Sequence, residues 1–375
     1  MPDETEPNDQ NGLHASVQLT LIPGIGPRTY ATLLNTFGSA EAVLQQSAER
    51  LQQVPGIGTA TANRFADPRY SLAAAQMLER CRQLGIQLMV RGDRDYPPGV
   101  AEMEDAPPVL FVRGRLRTQD QLAVAIVGSR RCTTYGRRQA ERLAAALARA
   151  GITVVSGLAR GIDGAAHRGA LAAGGRTLAV LATGVSEIYP PEHADLALEI
   201  VRCGALVSEF PLHQKPRPGL FPQRNRIISA LSLGVIIVEA TRNSGALYTA
   251  RHAMEQGREV FALPGPVDSI ASEGCHELIR DGATLVRNVD DVLQGLGPLP
   301  QPATSSSGDA VHDPRELSLN DQEREVLNLI GHQPTSVDQI LRAAKLDPSR
   351  VLSTLTVLEM KRFARRLPGN QLVRN

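Results

Sequence analysis

The chain has 375 residues, enough for two or three domains, and its 42% hydrophobic and 21% charged content is ordinary for a globular protein. A net charge of +1 means that affinity for a polyanion has to come from local patches and not from the overall field. No stretch approaches the roughly 18 uninterrupted apolar residues of a membrane span. The acidic, polar start from Asp3 to Asn11 has no apolar signal core.

Cys81, Cys132, Cys203 and Cys275 are scattered without zinc or redox spacing, so neither a metal nor a disulfide is expected. The reading is a reduced, cytoplasmic protein with no membrane partner. Almost all its cations are arginine, with only Lys215, Lys345 and Lys361 as exceptions, a bias that genome composition alone can produce.

Residues 1–12 read as a disordered tail. Residues 13–80 contain an internal echo: Leu21-Ile22-Pro23-Gly24-Ile25-Gly26 is answered by Gln53-Val54-Pro55-Gly56-Ile57-Gly58, each followed by a helical pattern. Proline, then glycine-x-glycine, then a helix is the hairpin of a helix-hairpin-helix element. Its glycines allow the tight turn and leave amide donors at a helix start, where a phosphate can dock. Each hairpin has few cations (Arg28 in one, Arg64 in the other), so nucleic-acid contact and a purely protein-binding role both stay open.

Residues 85–297 alternate strand-like and helix-like patterns. Leu122 to Val127 is a continuous apolar run, as a strand buried on both faces requires, and it leads through Gly128-Ser129-Arg130 into an amphipathic stretch from Gly136 to Ala150. Further strands are expected at 152–155, 178–181, 205–208, 235–238 and 259–263, with helices at 163–173, 195–203 and 246–256. Repeated strand–helix–strand units predict an α/β core, a Rossmann-like doubly wound parallel sheet that binds ligands at the carboxyl ends of its strands. Phe221-Pro222 precedes Arg224-Asn225-Arg226, read as the mouth of a helix-like run from Ile227 to Leu233.

Residues 298–315 are a flexible linker by composition. Beyond it, 316–375 reads as short helices at 321–330, 337–344 and 349–360, then an extended pair at 364–367 and 371–374 around Pro368-Gly369-Asn370. Helices followed by a small hairpin describe a winged helix. Lys361, Arg362, Arg365 and Arg366 suit either contact with duplex DNA or a solvated face.

The strand ends lack a GxGxxG fingerprint, since Arg130, Arg131 and Cys132 stand where later glycines belong, and no Gly-Lys pair exists for a P-loop. Neither a dinucleotide cofactor nor P-loop hydrolysis is expected. What remains is small residues and arginine: Gly128-Ser129-Arg130, Ser156-Gly157 with Arg160, and Ser244-Gly245 at strand-to-helix turns. There, amides and the helix start favour an anion. A guanidinium fork suits phosphate, and an aromatic ring beside such donors suits the bases of an unpaired strand. Asp163 and His167, four apart, could form a metal or acid–base pair; Asp163 capping the helix and ordering the preceding loop is the favoured reading. Glu209 and Glu239 are expected to hold the arginines in place, and no catalytic set is recognisable.

These motifs together resemble the DprA (Smf) family of bacterial DNA-processing proteins. The strings that carry the resemblance include Ala125-Ile126-Val127-Gly128-Ser129-Arg130, Ser156 through Asp163, Tyr189-Pro190, Ser208-Glu209, Phe221 through Ser229, Val238-Glu239-Ala240 and Pro264-Gly265. The flanks are similar to the helix-hairpin-helix (SAM-like) and winged-helix units of many members. The resemblance implies a non-enzymatic protein of DNA recombination and natural transformation. It would bind and protect incoming single-stranded DNA, help load the RecA recombinase and dimerise through the central domain. Carried over, Gly128, Ser129 and Arg130 form a phosphate pocket with Arg224, Asn225 and Arg226 beside it, and Phe221 contacts a base. Where several members have a lysine three residues before that phenylalanine, this chain has Pro218, with Arg217 and Lys215 nearby. The rival is a nucleotide-cleaving phosphoribohydrolase on a related sheet, whose Pro-Gly-Gly-x-Gly-Thr string is replaced here by Asn243-Ser244-Gly245-Ala246.

Overall fold

A continuous apolar run such as Ala123–Val127 can only be satisfied with other strands on both edges and side chains packed on both faces. The computed structural model, which describes residues 7–299, 302–305, 308, 310–331 and 333–374, places it at the centre of a nine-stranded sheet. In chain order the strands are β1 (Ile86–Val90), β2 (Val109–Gly114), β3 (Ala123–Gly128), β4 (Thr153–Ser156), β5 (Thr177–Val180), β6 (Ala205–Ser208), β7 (Gly234–Val238), β8 (Glu259–Ala262) and β9 (Thr284–Leu285). Their spatial order is β1-β2-β6-β5-β4-β3-β7-β8-β9.

From β6 across to β9 every pairing is parallel, as the alternating pattern predicts. β1 and β2 form an antiparallel hairpin that pairs onto β6, an extension the alternation of strands and helices does not announce. The chain order reverses between β3 and β7. β3 leads leftward through β4, β5 and β6, and β7 leads rightward to β8, so a crevice opens where Gly128 and Val238 lie side by side.

Helices cover both faces. Their ranges are α1 (Pro7–Leu21), α2 (Pro27–Phe37), α3 (Ala40–Leu44), α4 (Ala48–Leu51), α5 (Thr59–Ala62), α6 (Pro68–Gln83), α7 (Pro98–Ala101), α8 (Thr134–Arg149), α9 (Ile162–Ala172), α10 (Ala194–Cys203), α11 (Leu220–Ala230), α12 (Ala246–Glu255), α13 (Glu273–Arg280) and α14 (Val289–Leu296). One apolar cluster joins Val127, Val155, Val180 and Val207 to Ile227, Ala250 and Cys275; it packs α7, α11, α12 and α13 on one face. A second joins Phe111, Leu181 and Leu206 to Ile200 of α10 and to Val17, Ala74 and Cys81 of α1 and α6.

The N-terminal helices have a core of their own, in which the echoed Ile22, Val54 and Ile57 meet Tyr30, Leu33 and Phe65. The hairpins behave as their glycines require: Gly24 and Gly56 sit at φ +98° and +87°. Arg64 of the second hairpin donates to the Pro23 carbonyl of the first at 2.8 Å, tying the copies together. Of the expected tail, residues 1–6 lie outside the described residues, and residues 7–12 form the start of α1.

The chain divides into two compact units, the second comprising 297–302 and 311–375. The described part of the expected linker carries two short strands, β10 (Ala303–Thr304) and β11 (Ala310–Val311), and a 3-10 turn over Pro314–Ser318. The second unit then builds α15 (Asp321–Asn328), β12 (Thr335–Ser336), α16 (Val337–Ala343), α17 (Pro348–Met360), β13 (Ala364–Leu367) and β14 (Gln371–Arg374) around Val326, Ile340, Leu355 and Leu372. Asn320 with Glu323 and Ser336 with Gln339 form capping boxes. The β13–β14 hairpin turns at Gly369 and Asn370, both at positive φ, which completes a winged helix. Of its expected basic cluster, Lys361 is paired with Glu323 at 2.7 Å and Arg366 with Glu359 at 2.8 Å.

The strand edge beneath β3 to β5 is fastened by a buried ion pair. Arg176 donates to both oxygens of Asp120, at 2.8 and 2.7 Å, and Asp120 also accepts from Thr153 Oγ1 at 2.9 Å. Asp120→Ala leaves the Arg176 guanidinium without its counter-charge. Urea unfolding followed by circular dichroism is expected to show a loss of about 3–5 kcal/mol.

Candidate functional site

The crevice between β3 and β7 is an open cleft of about 830 Å³. Its floor is the β3 end and the turn after it, Gly128 to Arg131; its walls are Thr241 to Thr249 on one side and Pro216 to Asn225 on the other. Close approach makes Gly128 obligatory, because a Cβ there would collide with the Val238 carbonyl. The turn is fixed through Ser129, whose N–H donates to the Glu239 carbonyl at 2.7 Å and whose hydroxyl accepts from Arg131 N–H at 3.1 Å.

Aromatic and guanidinium groups line the opening. The exposed Arg130 guanidinium lies 4.8 Å over the Phe221 ring, Phe221 meets Tyr189 at 5.7 Å between centroids with a 60° tilt, and Arg160 sits 5.9 Å over Tyr189. Arg160 is held from its other side by Glu192, with Nη2 at 3.2 Å from Oε2. Arg217 and Lys215 are exposed in the loop before α11, and Arg217 lines the cleft. Asn225 faces the opposite wall, its amide donating to the Gly245 carbonyl at 3.2 Å.

Of the residues expected to bind a strand, Gly128, Ser129, Arg130, Arg217, Phe221, Arg224 and Asn225 line this cleft, while Gly157 and Arg160 line a smaller recess beside it. Ser156 does not reach either. It is fully buried at the end of β4, with its hydroxyl donating to the Ile126 carbonyl at 2.6 Å.

Arg224 and Arg226 require a correction. Expected as an exposed pair at the mouth of the helix, both are buried, 3% and 4% exposed. α11 begins at Leu220, two turns' worth of chain before the expected helix start, since Pro222 occupies the first turn, where its missing N–H costs nothing. Arg224 and Arg226 therefore project about 200° apart around one helix and not together at its mouth.

Arg224 runs under the cleft floor and donates to the carbonyls of Gly157, at 2.6 Å, and Val180. A Cβ at Gly157 would occupy the space of that guanidinium. The Asp163 carboxylate accepts from Gly157 N–H at 3.1 Å and Ala159 N–H at 3.3 Å, the loop-ordering role expected of it; it does not cap α9, whose N-cap is Gly161, because it lies within the helix's first turn. Burial pushes the Asp163 carboxyl up and the Arg224 guanidinium down to about 10, and each charge opposes the other's shift. On the far side, Arg226 pairs with Glu209 at 2.5 Å, and its Nε lies 3.2 Å from Asp105 Oδ2. Burial raises the Glu209 carboxyl to about 7 against the pull of Arg226.

Glu209 thus holds an arginine, as expected; Glu239 does not. It is 4% exposed, at φ +53°, and its carboxylate accepts from Thr133 N–H at 2.8 Å and from the Thr133 hydroxyl, anchoring the start of α8. His167 is turned away from Asp163 and hydrogen-bonds Thr177 Oγ1 at 2.7 Å in the core.

The residues that sequence reasoning left without a role are Tyr189, Arg131, Tyr248 and the Thr241 turn, all in the cleft lining. Tyr189 had a signal in the sequence, an aromatic next to Pro190 in a small-residue loop. Tyr248 had none, because it is the exposed face of α12 that happens to border the opening.

The model of the family "DNA recombination-mediator protein A" matches residues 87–297. The chain belongs to this family. The DprA winged-helix model matches 310–370 and the SAM-like helix-hairpin-helix tandem matches 16–65. Among relatives, Protein Smf of Escherichia coli is 40% identical over 333 residues, covering 87% of this chain and 85% of that protein. The DNA processing protein DprA of Streptococcus pneumoniae is 44% identical over 201 residues, 54% of this chain and 71% of that one.

The crystal structure of the S. pneumoniae DprA superposes with a TM-score of 0.66 at 33% identity, covering 74% of this chain and 95% of that one. A Helicobacter pylori DprA structure, described for its unique single-stranded DNA binding mode, superposes at 0.51 with 31% identity over 56% of this chain and 95% of that one. The DprA framework, with its flanking helix-hairpin-helix and winged-helix units, is therefore present throughout. Among the described residues no cluster of ligating side chains is arranged for a metal, and no helix is long and apolar enough to cross a membrane.

Burial holds the His167 imidazole down to about 3, so the folded protein refuses a proton that the unfolded chain accepts below its usual pKa near 6.5. The unfolded state binds more protons across that window, so stability falls on acidification from about pH 6.5 toward pH 3. The slope reaches at most about 1.4 kcal/mol per pH unit. His167→Asn, followed by urea unfolding at a series of pH values, is expected to flatten that slope; an unchanged slope contradicts the assignment.

Proposed function

We propose that the β3–β7 cleft binds single-stranded DNA without cutting it, and that the protein acts as a recombination mediator. The observation that carries this reading is the combination at one opening of exposed guanidiniums, Arg130 and Arg131, with Arg130 over the Phe221 ring. Cations suit a phosphate backbone, and aromatic faces take bases of any sequence. Arg130, Arg131 and Arg217 contact phosphates, while Phe221 and Tyr189 offer stacking surface. Arg224, Gly157 and Asp163 keep the floor in shape; Arg226 with Glu209 anchors α11.

Membership in a DNA-processing family supports the reading, as does the single-stranded DNA binding described for the H. pylori relative. The finer expectations belong to the same proposal: a cytoplasmic homodimer that shields the strand from nucleases and hands it to a RecA-type recombinase. Nuclease-protection assays, sedimentation and recombinase-loading assays address them separately.

The phosphoribohydrolase rival needs a carboxylate at the opening. Glu239 is spent on Thr133 and lies outside the cleft lining, so it is not free for that chemistry. Release of free base from a nucleoside monophosphate, abolished by Glu239→Gln, would revive the rival.

Phe221→Ala is expected to weaken binding of a fluorescent oligothymidylate by about 1–3 kcal/mol. Arg130→Ala is expected to weaken it for all base sequences alike and to lower the salt slope by about 0.7. Both variants binding as tightly as the parent, with unaltered salt dependence, would sink the reading.

A further inference from the structure

The outer surface of α8 holds charge that neither the fold nor the cleft uses. Its core-facing residues are Gly136, Ala140, Leu143, Ala144 and Leu147. Arg138, Arg142 and Arg149 lie on the opposite side, within about 40° of arc and spread along about 16 Å of helix. All three are exposed, as are Arg130, Arg131 and Arg137 at the start of the same chain segment.

Elsewhere the protein's arginines are commonly neutralised: Arg69, Arg82, Arg160, Arg176, Arg226, Arg242, Arg258, Arg287, Arg315, Arg366 and Arg374 each have a carboxylate within ion-pair distance. Among the described residues none is so paired at Arg131, Arg137, Arg138, Arg142 or Arg149. Among the described residues, the side-chain hydrogen bond made from this row is Arg142 Nη2 donating to the Arg287 carbonyl at 2.5 Å. Glu141, the one acidic residue of α8, stands four residues from Arg137 and three from Arg138 at the flank of the row, and among the described residues it is in ion-pair distance of neither. Unneutralised like charges spaced along a helix repel one another and add nothing to the fold. A polyanion laid along them removes that repulsion and releases its own counterions.

We propose that the arginine row of α8 continues the cleft as a second binding segment for the same unpaired strand, engaged through phosphates alone. The row starts where the cleft ends: Arg130 and Arg131 line the cleft, and α8 follows after Cys132 and Thr133. The aromatic on this face, Tyr135 at the head of the row, is tied by its hydroxyl to the Pro264 carbonyl at 2.9 Å, and none stands among Arg138, Arg142 and Arg149, so this segment reads charge and not bases. It rests on the cleft reading above and extends it from a short site to a longer path.

The test compares fluorescent oligothymidylates of about six and about 25 nucleotides on the full-length protein, across salt concentrations. The variant is Arg138→Gln/Arg142→Gln/Arg149→Gln. The short oligomer is expected to bind the parent and the variant alike, because it fits within the cleft. The long oligomer is expected to bind the variant roughly ten- to fiftyfold more weakly near 0.15 M salt, with the salt slope reduced by about 2.

Should the triple variant fail to fold, Arg138→Gln/Arg149→Gln spares the Arg142 contact and is expected to lower the slope by about 1.4. An unchanged slope for the long oligomer overturns the proposal and leaves the row to an acidic protein partner. An equal loss for both lengths also overturns it, since it marks a general field and not a second segment. A parent that binds neither length is a different outcome, the failure of the cleft reading itself.

Discussion

The shape of the cleft depends on one guanidinium driven beneath its floor. Arg224 crosses from α11 under the ends of β4 and β5 and satisfies the carbonyls of Gly157 and Val180, within the field of the buried Asp163 carboxylate. An unmet acceptor at these strand ends would be costly in the dry interior. Asp163 in turn collects the amides of Gly157 and Ala159. Two buried opposite charges, both hydrogen-bonded to the Gly157 backbone, thus join α11, two strand ends and the start of α9. Either member alone would be an uncompensated charge in the core. The Arg226–Glu209 pair repeats the arrangement on the other side of α11, so that helix is fastened by opposite charges on two faces.

Much of this was legible in the chain. The run Leu122–Val127 announces a strand buried on both sides, and the alternation after it gives a parallel sheet whose ligand face lies at the carboxyl ends. The paired Pro-Gly-Ile-Gly strings announce the two hairpins, and Pro368-Gly369-Asn370 announces the wing. Of the two antiparallel strands, β1 is a half-buried edge strand with neither a full apolar run nor a clean alternation; β2 is a buried apolar run, Val109–Val112, whose partner β6 lies far along the chain and whose direction no local pattern gives.

The arginines of α11 misled for a different reason. A charged pair flanking a polar residue looks like a surface cluster, and only the true helix start shows that positions two apart cannot share a face. Their burial is a tertiary fact: it follows from where β4, β5 and β6 end, and no local pattern encodes that. The same holds for Glu239, whose anchor at Thr133 is 106 residues away.

The stack of Arg130 on Phe221 bears on how the opening greets a visitor. The ring is not an idle greasy plate facing water, since a flat, weakly hydrated cation already lies across it. On the reading proposed above, arrival of a nucleobase is a swap of one flat neighbour for another, with the displaced cation left near the incoming backbone. A bare aromatic face would be open to any stray apolar compound; the charge across this one makes such a visitor displace a cation first.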